Sequence, residues 1–273
     1  MSGTVLVTGG TGKTGRRVVS RLRARGIDAR VGSRKEPASF DWADATTHEA
    51  ALRDVGAIYL VAPTGALDAL QAMRPFLERA LASGVRRYVL LSASSLEEGG
   101  PLMGAVHAWL KAETPEWVAL RPTWFMQNFS EQHHRDTIRE ERVIESAAGD
   151  GRVGFIDAEN IAEVAVEALV RPDFASRELV ITGPETLSYD DVAATIAQAL
   201  GETVRHRRLT EAELAARHTR TGMPEVYAKM LAAMDTSIAG GSEDRVTPGV
   251  LEATGHGPGS FRQFVSGAVA AWR

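Results

Sequence analysis

Three glycines spaced at three-residue intervals, Gly9, Gly12 and Gly15, give the strongest chemical signal in the sequence. They follow a short β-branched run, Thr4 to Thr8, and stand at the start of a stretch with helical spacing, Thr14 to Arg25. In such a turn the amides at the helix N-terminus can surround a pyrophosphate, so the spacing predicts a dinucleotide site. The residues predicted to shape this site are Gly9, Thr11, Gly12, Lys13, Thr14 and Gly15.

The residues after the second predicted strand indicate which dinucleotide binds. In folds of this type a carboxylate about 20 residues beyond the glycines holds the ribose 2′-hydroxyl of NAD. Here the strand Ala29 to Ser33 leads into Arg34 and Lys35, and no acid stands at this point. A guanidinium can pair with a 2′-phosphate, which favours NADPH over NADH. The alternative is that the two cations only belong to a solvated loop and bind no phosphate. The other predicted cofactor residues are Ser33, Asp41, Trp42, Ala62, Pro63, Ser92 and Ala93.

A serine, a histidine and a lysine form a second candidate group. Ser94 follows the predicted strand Arg87 to Ser92, and His107 and Lys111 share one face of a predicted helix, Met103 to Glu113. This layout resembles that of the short-chain dehydrogenases, in which a serine precedes Tyr-x-x-x-Lys. The resemblance implies that the residue at the tyrosine position donates a proton and that the lysine holds the ribose. In this sequence the tyrosine position is taken by His107.

The role of His107 depends on the substrate. Imidazole titrates near neutrality, so His107 can donate a proton to a developing alkoxide. An iminium ion needs no donor, because hydride addition gives a neutral amine directly. A solvated or capping position on the helix is the alternative for His107, and a solvated face is the alternative for Lys111. We predict Ser94, His107 and Lys111 as the catalytic group and leave the proton-donor role open.

Aromatic residues around the last clear parallel strand, Trp117 to Arg121, are the candidates for substrate binding. Trp124 and Phe125 follow this strand at the side of the sheet where ligands bind. Their rings could stack on a flat ligand or make a cation–π contact, and the alternative is packing between lobe and sheet. Asn128 and Trp109 complete the predicted substrate group.

The elements that would position these residues alternate between strand and helix in the first half of the chain. This alternation predicts an α/β fold, a Rossmann-type doubly wound parallel sheet, with Phe40 to Trp42 as a short third strand. After Pro122 helices predominate. We therefore predict an NADP-binding domain over residues 1–122 and a smaller, mainly helical substrate lobe over 123–273, packed against the first and partly interleaved with it. The arginines of the first helix are expected to face solvent.

Several sequence segments between Thr4 and about Phe264 carry a resemblance to a known family, among them TGGTGKTGRRVV, RRYVLLSAS, LRPTWFMQNFSE, ITGPETLSYDDVA and GMPEVYAKML. With these the chain resembles the NmrA-like atypical short-chain dehydrogenases, and more narrowly the ergot-alkaloid reductases (festuclavine and agroclavine dehydrogenases). The resemblance implies a Rossmann-type domain, NADPH, and reduction of a carbon–nitrogen double bond in a polycyclic cation. The resemblance implies the class of reaction more strongly than the identity of the substrate. Lys111 is not part of the family's sequence pattern.

Composition limits the other possibilities. The 273 residues carry a net charge of −4 and no cysteine, which argues against a nucleic-acid partner and excludes disulfides and thiolate zinc sites. Adjacent His133 and His134 point to different helix faces, so no metal site is predicted. No window reaches the roughly 18 apolar residues of a membrane span. We expect a cytoplasmic protein that acts on a small molecule, and the sequence predicts no oligomeric state.

These patterns together predict an NADPH-dependent reductase. Its hydride would go to an iminium or conjugated C=N or C=C bond of a small, cyclic or aromatic substrate. One alternative is a quinone or enone reductase on the same scaffold. Another is an NADP-sensing regulator that binds the dinucleotide without turnover. The absence of the tyrosine is compatible with both alternatives, the quinone or enone reductase and the regulator.

Overall fold

The computed structural model describes residues 3–34, 40–131 and 133–273. The first half of the chain alternates strand and helix as expected. Its elements are β1 (Thr4–Thr8), α1 (Lys13–Ala24), β2 (Ala29–Gly32), α2 (His48–Leu52), β3 (Val55–Leu60), α3 (Ala69–Ala82), β4 (Arg87–Leu91), α4 (Met103–Glu113) and β5 (Glu116–Pro122). The predicted strand over Phe40 to Trp42 is wrong. This segment belongs to a turn in which the Asp41 carboxylate accepts a hydrogen bond from the Ala43 amide at 3.0 Å.

The second half is richer in helix. Its elements are α5 (His133–Glu141), β6 (Val143–Ser146), β7 (Arg152–Val153), α6 (Ala158–Val170), β8 (Arg177–Ile181), β9 (Leu187–Ser188), α7 (Tyr189–Leu200), β10 (Arg205–Arg208), α8 (Glu211–Arg220), α9 (Glu225–Ala239), α10 (Gly249–Thr254) and α11 (Phe261–Ala268). The predicted capping box at the start of α7 is confirmed, with Ser188 and Asp191 exchanging hydrogen bonds.

Six strands of the described residues form one parallel sheet in the order β2-β1-β3-β4-β5-β8. The predicted doubly wound α/β fold is confirmed. The chain leaves β1 toward one edge and returns to place β3 on the other side of β1. A crevice opens at the carboxyl ends of the strands where the order reverses, and ligands bind at this point in open α/β sheets. The interior strand β1 has an apolar centre, Val5 to Val7, that is fully buried, as a sheet covered on both faces requires.

The chain divides into two compact units. The first comprises Met1–Pro122, Ala158–Ile181 and Gly249–His256, and the second comprises Thr123–Asp157, Thr182–Pro248 and Gly257–Arg273. The chain first passes from one unit to the other at 122/123. The segments around α6, β8 and α10 then return to the first unit, because β8 pairs with β5 and so extends the sheet.

The arginines of α1 face solvent in part: Arg16, Arg23 and Arg25 are exposed as expected, whereas Arg17 and Arg21 are half-buried. Arg17 and Arg21 donate to the carboxylate of Glu159 on α6, at 2.7 and 3.1 Å. Arg25 donates to Glu167, which lies further along α6 than Glu159. The acids that pair with these arginines lie about 140 positions away in the sequence, so the local pattern could not reveal them.

Each unit has its own apolar core. In the first unit the core lies between the sheet and the α3 and α4 helices, where Phe76, Tyr88 and Val106 are fully buried. In the second unit aromatic rings dominate. Its fully buried members are Phe129, Phe155, Tyr189, Phe261 and Trp272.

Candidate active site

The glycine turn leads from β1 into α1 and leaves the helix N-terminus open. Gly9 has a φ of 60°, a left-handed conformation that glycine adopts without strain, and its carbonyl accepts a hydrogen bond from the Gly12 amide at 2.8 Å. A Cβ at Gly15 would lie 2.2 Å from the same carbonyl oxygen, so only glycine lets the helix pack this closely. Among the described residues no side chain caps the Gly12 end of α1. The helix amides and dipole are therefore placed for an anion.

A groove with a volume of about 750 Å³ begins at this turn. It contains the predicted cofactor residues Gly9, Thr11, Gly12, Ser33, Arg34, Asp41, Trp42, Ala62 and Pro63. It is also lined by residues that the sequence did not indicate, namely Gly32, Phe40, Ala43, Val61, Thr64, Gly65, Ala66 and Ala72. The groove therefore runs across the carboxyl ends of β2, β1 and β3, at the reversal point of the strand order.

Hydrogen bonds from one threonine hold the edges of this groove. The hydroxyl of Thr8, at the end of β1, lies 3.1 Å from the carbonyl oxygen of Tyr59 and accepts from the Val61 amide at 2.8 Å. The groove floor also requires small residues. A Cβ at Gly32 would lie 3.1 Å from the Val7 carbonyl oxygen, closer than a side chain normally packs.

One wall of the groove is aromatic. Trp42 lines the groove and packs edge-on against Phe40 and Phe76, with ring centroids 4.9 and 5.2 Å apart. The His48 ring packs edge-on against Phe76, and its Nε2 lies 3.0 Å from the Asp41 carbonyl oxygen. The turn that carries Asp41 and Trp42 is thus fixed by packing and hydrogen bonds.

Three predicted members of the phosphate loop do not line the groove. Lys13 is half-buried, Gly15 packs against the turn, and Thr14 is buried with its hydroxyl beside that of Tyr59. The side chain of Thr14 therefore faces the sheet, and its backbone amide is the group left for a phosphate. Lys35, predicted to stand beside Arg34, lies outside the described residues.

The loop after β4 carries Ser92, Ala93 and Ser94 to the carboxyl edge of the sheet. Ser92 is buried, and its hydroxyl has no hydrogen-bond partner among the residues that the structure describes. The Ser94 amide donates to the Pro122 carbonyl, and the Ser94 carbonyl accepts from the guanidinium of Arg121 at 2.9 Å. The loop is thereby tied to the end of β5.

His107 is enclosed between α4 and the sheet, at 1% exposure. Its ring lies 5.1 Å from that of Trp117, and its Nδ1 is 3.9 Å from a carboxylate oxygen of Glu178. Within the described part of the chain both ring nitrogens lack a hydrogen-bond partner. Burial lowers the pKa of His107, and the Glu178 carboxylate partly opposes this effect. The solvated-face alternative for His107 is excluded by this burial.

Lys111, which was predicted to hold the cofactor ribose, pairs with an acidic residue on the surface. Its ammonium group donates to Glu98 at 2.8 Å and the side chain is 50% exposed. The two residues form an ordinary surface ion pair, and Lys111 is not among the residues that line the groove.

Comparison with known proteins agrees with this geometry. Residues 9–172 match the family model described as NAD(P)H-binding. The chain belongs to the NAD(P)H-binding family. It is 42% identical to the uncharacterized oxidoreductase YesF of Bacillus subtilis, over 98% of this chain and 96% of that protein. It is 40% identical to the agroclavine dehydrogenase of Claviceps fusiformis, over 98% of each. These relatives confirm the predicted resemblance and make this NAD(P)H-binding protein an oxidoreductase.

A solved structure supports the fold of this NAD(P)H-binding oxidoreductase. The NADPH-dependent quinone oxidoreductase of Escherichia coli in complex with NADPH superimposes with a TM-score of 0.78. The two chains are 21% identical, over 97% of this chain and 99% of the other, a level at which the fold alone is shared.

The described residues of this oxidoreductase fit a nicotinamide dinucleotide. The uncapped start of α1 suits the pyrophosphate, and the groove extends from it past Arg34 and Trp42. The orphaned Ser92 hydroxyl at the end of β4 is a buried polar group that a ligand can complete.

The predicted substrate residues fall in both units. Trp109 lies in the first unit, half-buried against the core that holds Phe76. Trp124, Phe125 and Asn128 lie in the second unit and are all half-buried. Trp124 packs against the aromatic core of that unit. The contact of these four residues with a substrate stays a prediction.

Sequence reasoning missed Arg121 and the Gln127–Asp157 pair. The buried amide of Gln127 donates to Asp157 at 2.7 Å, within the second unit. Arg121 and Gln127 stand in the segment LRPTWFMQNFSE, but their partners Glu178 and Asp157 are distant in sequence. His134 is buried and stacks on Phe129, while the side chain of His133 lies outside the described part of the chain. None of the described helices is long and apolar enough to span a membrane.

Proposed function

We propose that this oxidoreductase uses NADPH and reduces an iminium or conjugated C=N or C=C bond of a small, cyclic or aromatic molecule. The observation that carries the cofactor preference is the position of Arg34. This arginine lines the same groove as the glycine turn, directly after Gly32 and Ser33 at the end of β2. A guanidinium there suits a 2′-phosphate on the adenosine ribose.

Different residues of the chain bind different parts of the cofactor. Amides around Gly12 hold the pyrophosphate, and the wall formed by Trp42 encloses the adenosine half. The loop from Ser92 to Ser94 meets the nicotinamide half, because the dinucleotide spans the reversal point of the strand order. The reduced nicotinamide, when bound, supplies the hydride. The first unit thus provides the cofactor site. Trp124 and Phe125 remain the residues proposed for the substrate.

The buried state of His107 favours an iminium among the two substrate types. Burial lowers its pKa, so the ring is neutral at pH 7 and is a weak proton donor. An iminium substrate avoids this difficulty because the nitrogen already carries the positive charge. The relatives named agroclavine dehydrogenase and festuclavine dehydrogenase support a nitrogen heterocycle as substrate.

Stopped-flow measurement of NADPH oxidation tests the proposal. The acceptors are a panel of cyclic iminium ions, matched quinones and matched enones. We expect oxidation with cyclic iminium ions and a higher kcat/KM with NADPH than with NADH. Oxidation by quinones alone contradicts the substrate class, and tight binding without oxidation by any acceptor indicates a sensor instead.

A further inference from the structure

A buried guanidinium links three neighbouring strands of the sheet, β4, β5 and β8. Arg121, in β5, is 5% exposed. It donates to the carbonyl oxygen of Ser94 after β4 at 2.9 Å and to Glu178 of β8 at 3.0 Å. It also donates to the Glu97 carboxylate at 2.9 Å. One side chain therefore fixes both the backbone and an acid of the loop that follows β4.

The loop itself is built to stay in one conformation. The Leu96 and Gly100 amides donate to the carbonyls of Ala93 and Glu97, at 3.1 and 3.0 Å. A Cβ at Gly104, in the first turn of α4, would lie 2.2 Å from the Glu97 carbonyl oxygen. The loop is thus clamped between α4 and Arg121, and its position depends on both.

Unpartnered polar atoms gather on the same face of the sheet. Ser92 shares the face of Tyr88 and Leu90, which pack in the core beneath α4, because side chains alternate along a strand. Arg121 likewise shares the face of Trp117. Within the described residues, the Ser92 hydroxyl, the Arg121 Nε and both nitrogens of the His107 ring are buried without partners. Each unpartnered buried group in a native fold needs an explanation, such as a ligand or an ordered water that completes it.

We infer that Arg121 is a positioning residue for the nicotinamide half of the cofactor. It holds the Ser92–Ser94 loop through the Ser94 carbonyl and does not itself touch the cofactor. This inference rests on the proposed function, since it requires that the dinucleotide cross the reversal point. The inference can be tested separately from the proposed function. Loss of Arg121 weakens the contacts at the nicotinamide end of the cofactor while the Arg34 end of the groove is unchanged.

The chain provides a matched control at the opposite edge of the sheet. Arg87, at the start of β4, is also buried and joins strand ends, donating to Glu116 at 2.7 Å and to the Ala168 carbonyl at 3.3 Å. Arg121→Met and Arg87→Met remove the same group from sites of similar burial. Both acids beside Arg121 can be hydrated, since Glu97 and Glu178 are 81% and 46% exposed. Folding of each variant is checked by circular dichroism and thermal unfolding.

The test compares two ligands by titration calorimetry. One is NADPH, and the other is adenosine 2′,5′-bisphosphate, which lacks the nicotinamide half. For Arg121→Met we expect NADPH affinity to fall about tenfold, equivalent to one charge-assisted hydrogen bond, with the bisphosphate affinity unchanged. Arg121→Lys, which retains a cation, should lie between this variant and the wild type. Arg87→Met should bind both ligands as the wild type does.

Each other outcome overturns the inference. Folded Arg121 variants that bind both ligands normally, or lose both equally, show that the guanidinium does not position the nicotinamide end. If Arg121→Met does not fold, the comparison of Arg121→Lys with Arg87→Lys decides in the same way. A wild-type protein that binds neither ligand removes the proposed function and the inference together, whereas normal binding by wild type with an indifferent Arg121 variant removes the inference alone.

Discussion

The hydroxyl oxygen of Thr8 accepts a hydrogen bond from the amide of Val61 at 2.8 Å, which joins the last residue of β1 to the residue that follows β3. Val61 lines the groove, and Thr8 directly precedes Gly9, which lines it as well. Thr8 is fully buried, so Thr8→Val leaves the Val61 amide without this partner in an apolar place. We expect the free energy of unfolding to fall by about 1–3 kcal/mol and the NADPH affinity to fall with it.

Thr4 provides the control for this prediction. Its hydroxyl donates to Asp28 at 2.6 Å at the other end of the same strand. Thr4→Val should therefore lower the midpoint of chemical denaturation without changing the dissociation constant of NADPH. Equal effects of the two substitutions on affinity would show that Thr8 has no special relation to the groove.

Arg34→Ala should weaken NADPH much more than NADH. A charge-assisted pair with a 2′-phosphate is worth about 1.5–3 kcal/mol, so the NADPH dissociation constant should rise roughly 10- to 100-fold. Arg30→Ala is the control, because Arg30 lies on the same strand and donates to the Ala51 and Arg53 carbonyls. The measurement is a binding titration with both coenzymes. An equal loss of NADPH and NADH affinity in Arg34→Ala would remove the 2′-phosphate role.

His107→Gln should have little effect on the reduction of an iminium acceptor. Burial lowers the pKa of His107 from its ordinary value, so the charge of the ring does not change between pH 7 and 8. The hydride-transfer rate should therefore be flat over this interval in both proteins. Removal of a true general acid costs about 100-fold or more. Such a loss in single-turnover kinetics, or a pH dependence that disappears in His107→Gln, would restore the donor role.

Asp235 should make the protein more stable at mildly acid pH. Its carboxylate is buried in the second unit, where it accepts from the Ala147 amide and lies 3.4 Å from the Tyr189 hydroxyl oxygen. Burial raises its pKa to about 6, above the unfolded value, so the folded state binds the proton more tightly. Stability is therefore full below about pH 4 and falls as pH rises toward 6, by roughly 3 kcal/mol at most. Asp235→Asn should abolish this slope in urea unfolding measured from pH 4 to 7. A slope that survives in the variant would assign it to another group.

The glycine turn and the strands of the first half could be predicted because their signals are local. Gly9, Gly12 and Gly15 are required by backbone conformation or close approach within a few residues of chain. The apolar run Thr4–Thr8 indicates its own burial. The helix of residues 133–141 could not be predicted from hydrophobic periodicity, since Ile138 is its one apolar residue and is fully buried.

The environment of the candidate catalytic residues could not be predicted, because it depends on distant partners. The spacing of His107 and Lys111 places them on one helix face, but the burial of one and the exposure of the other follow from Trp117 and Glu98. Likewise the sequence indicates a strand near Glu178 but not its pairing beside β5. Without that pairing, Arg121 gives no sign that it links three strands.

The chain passes from one compact unit to the other at 122/123, 157/158, 181/182, 248/249 and 256/257. Neither unit is a continuous stretch that gene fusion or a single recombination event could exchange intact. A fragment ending at Pro122 would leave β5 as a bare edge, open to aggregation. New coenzyme or substrate preferences in such a protein therefore arise more readily by point substitution than by shuffling of modules.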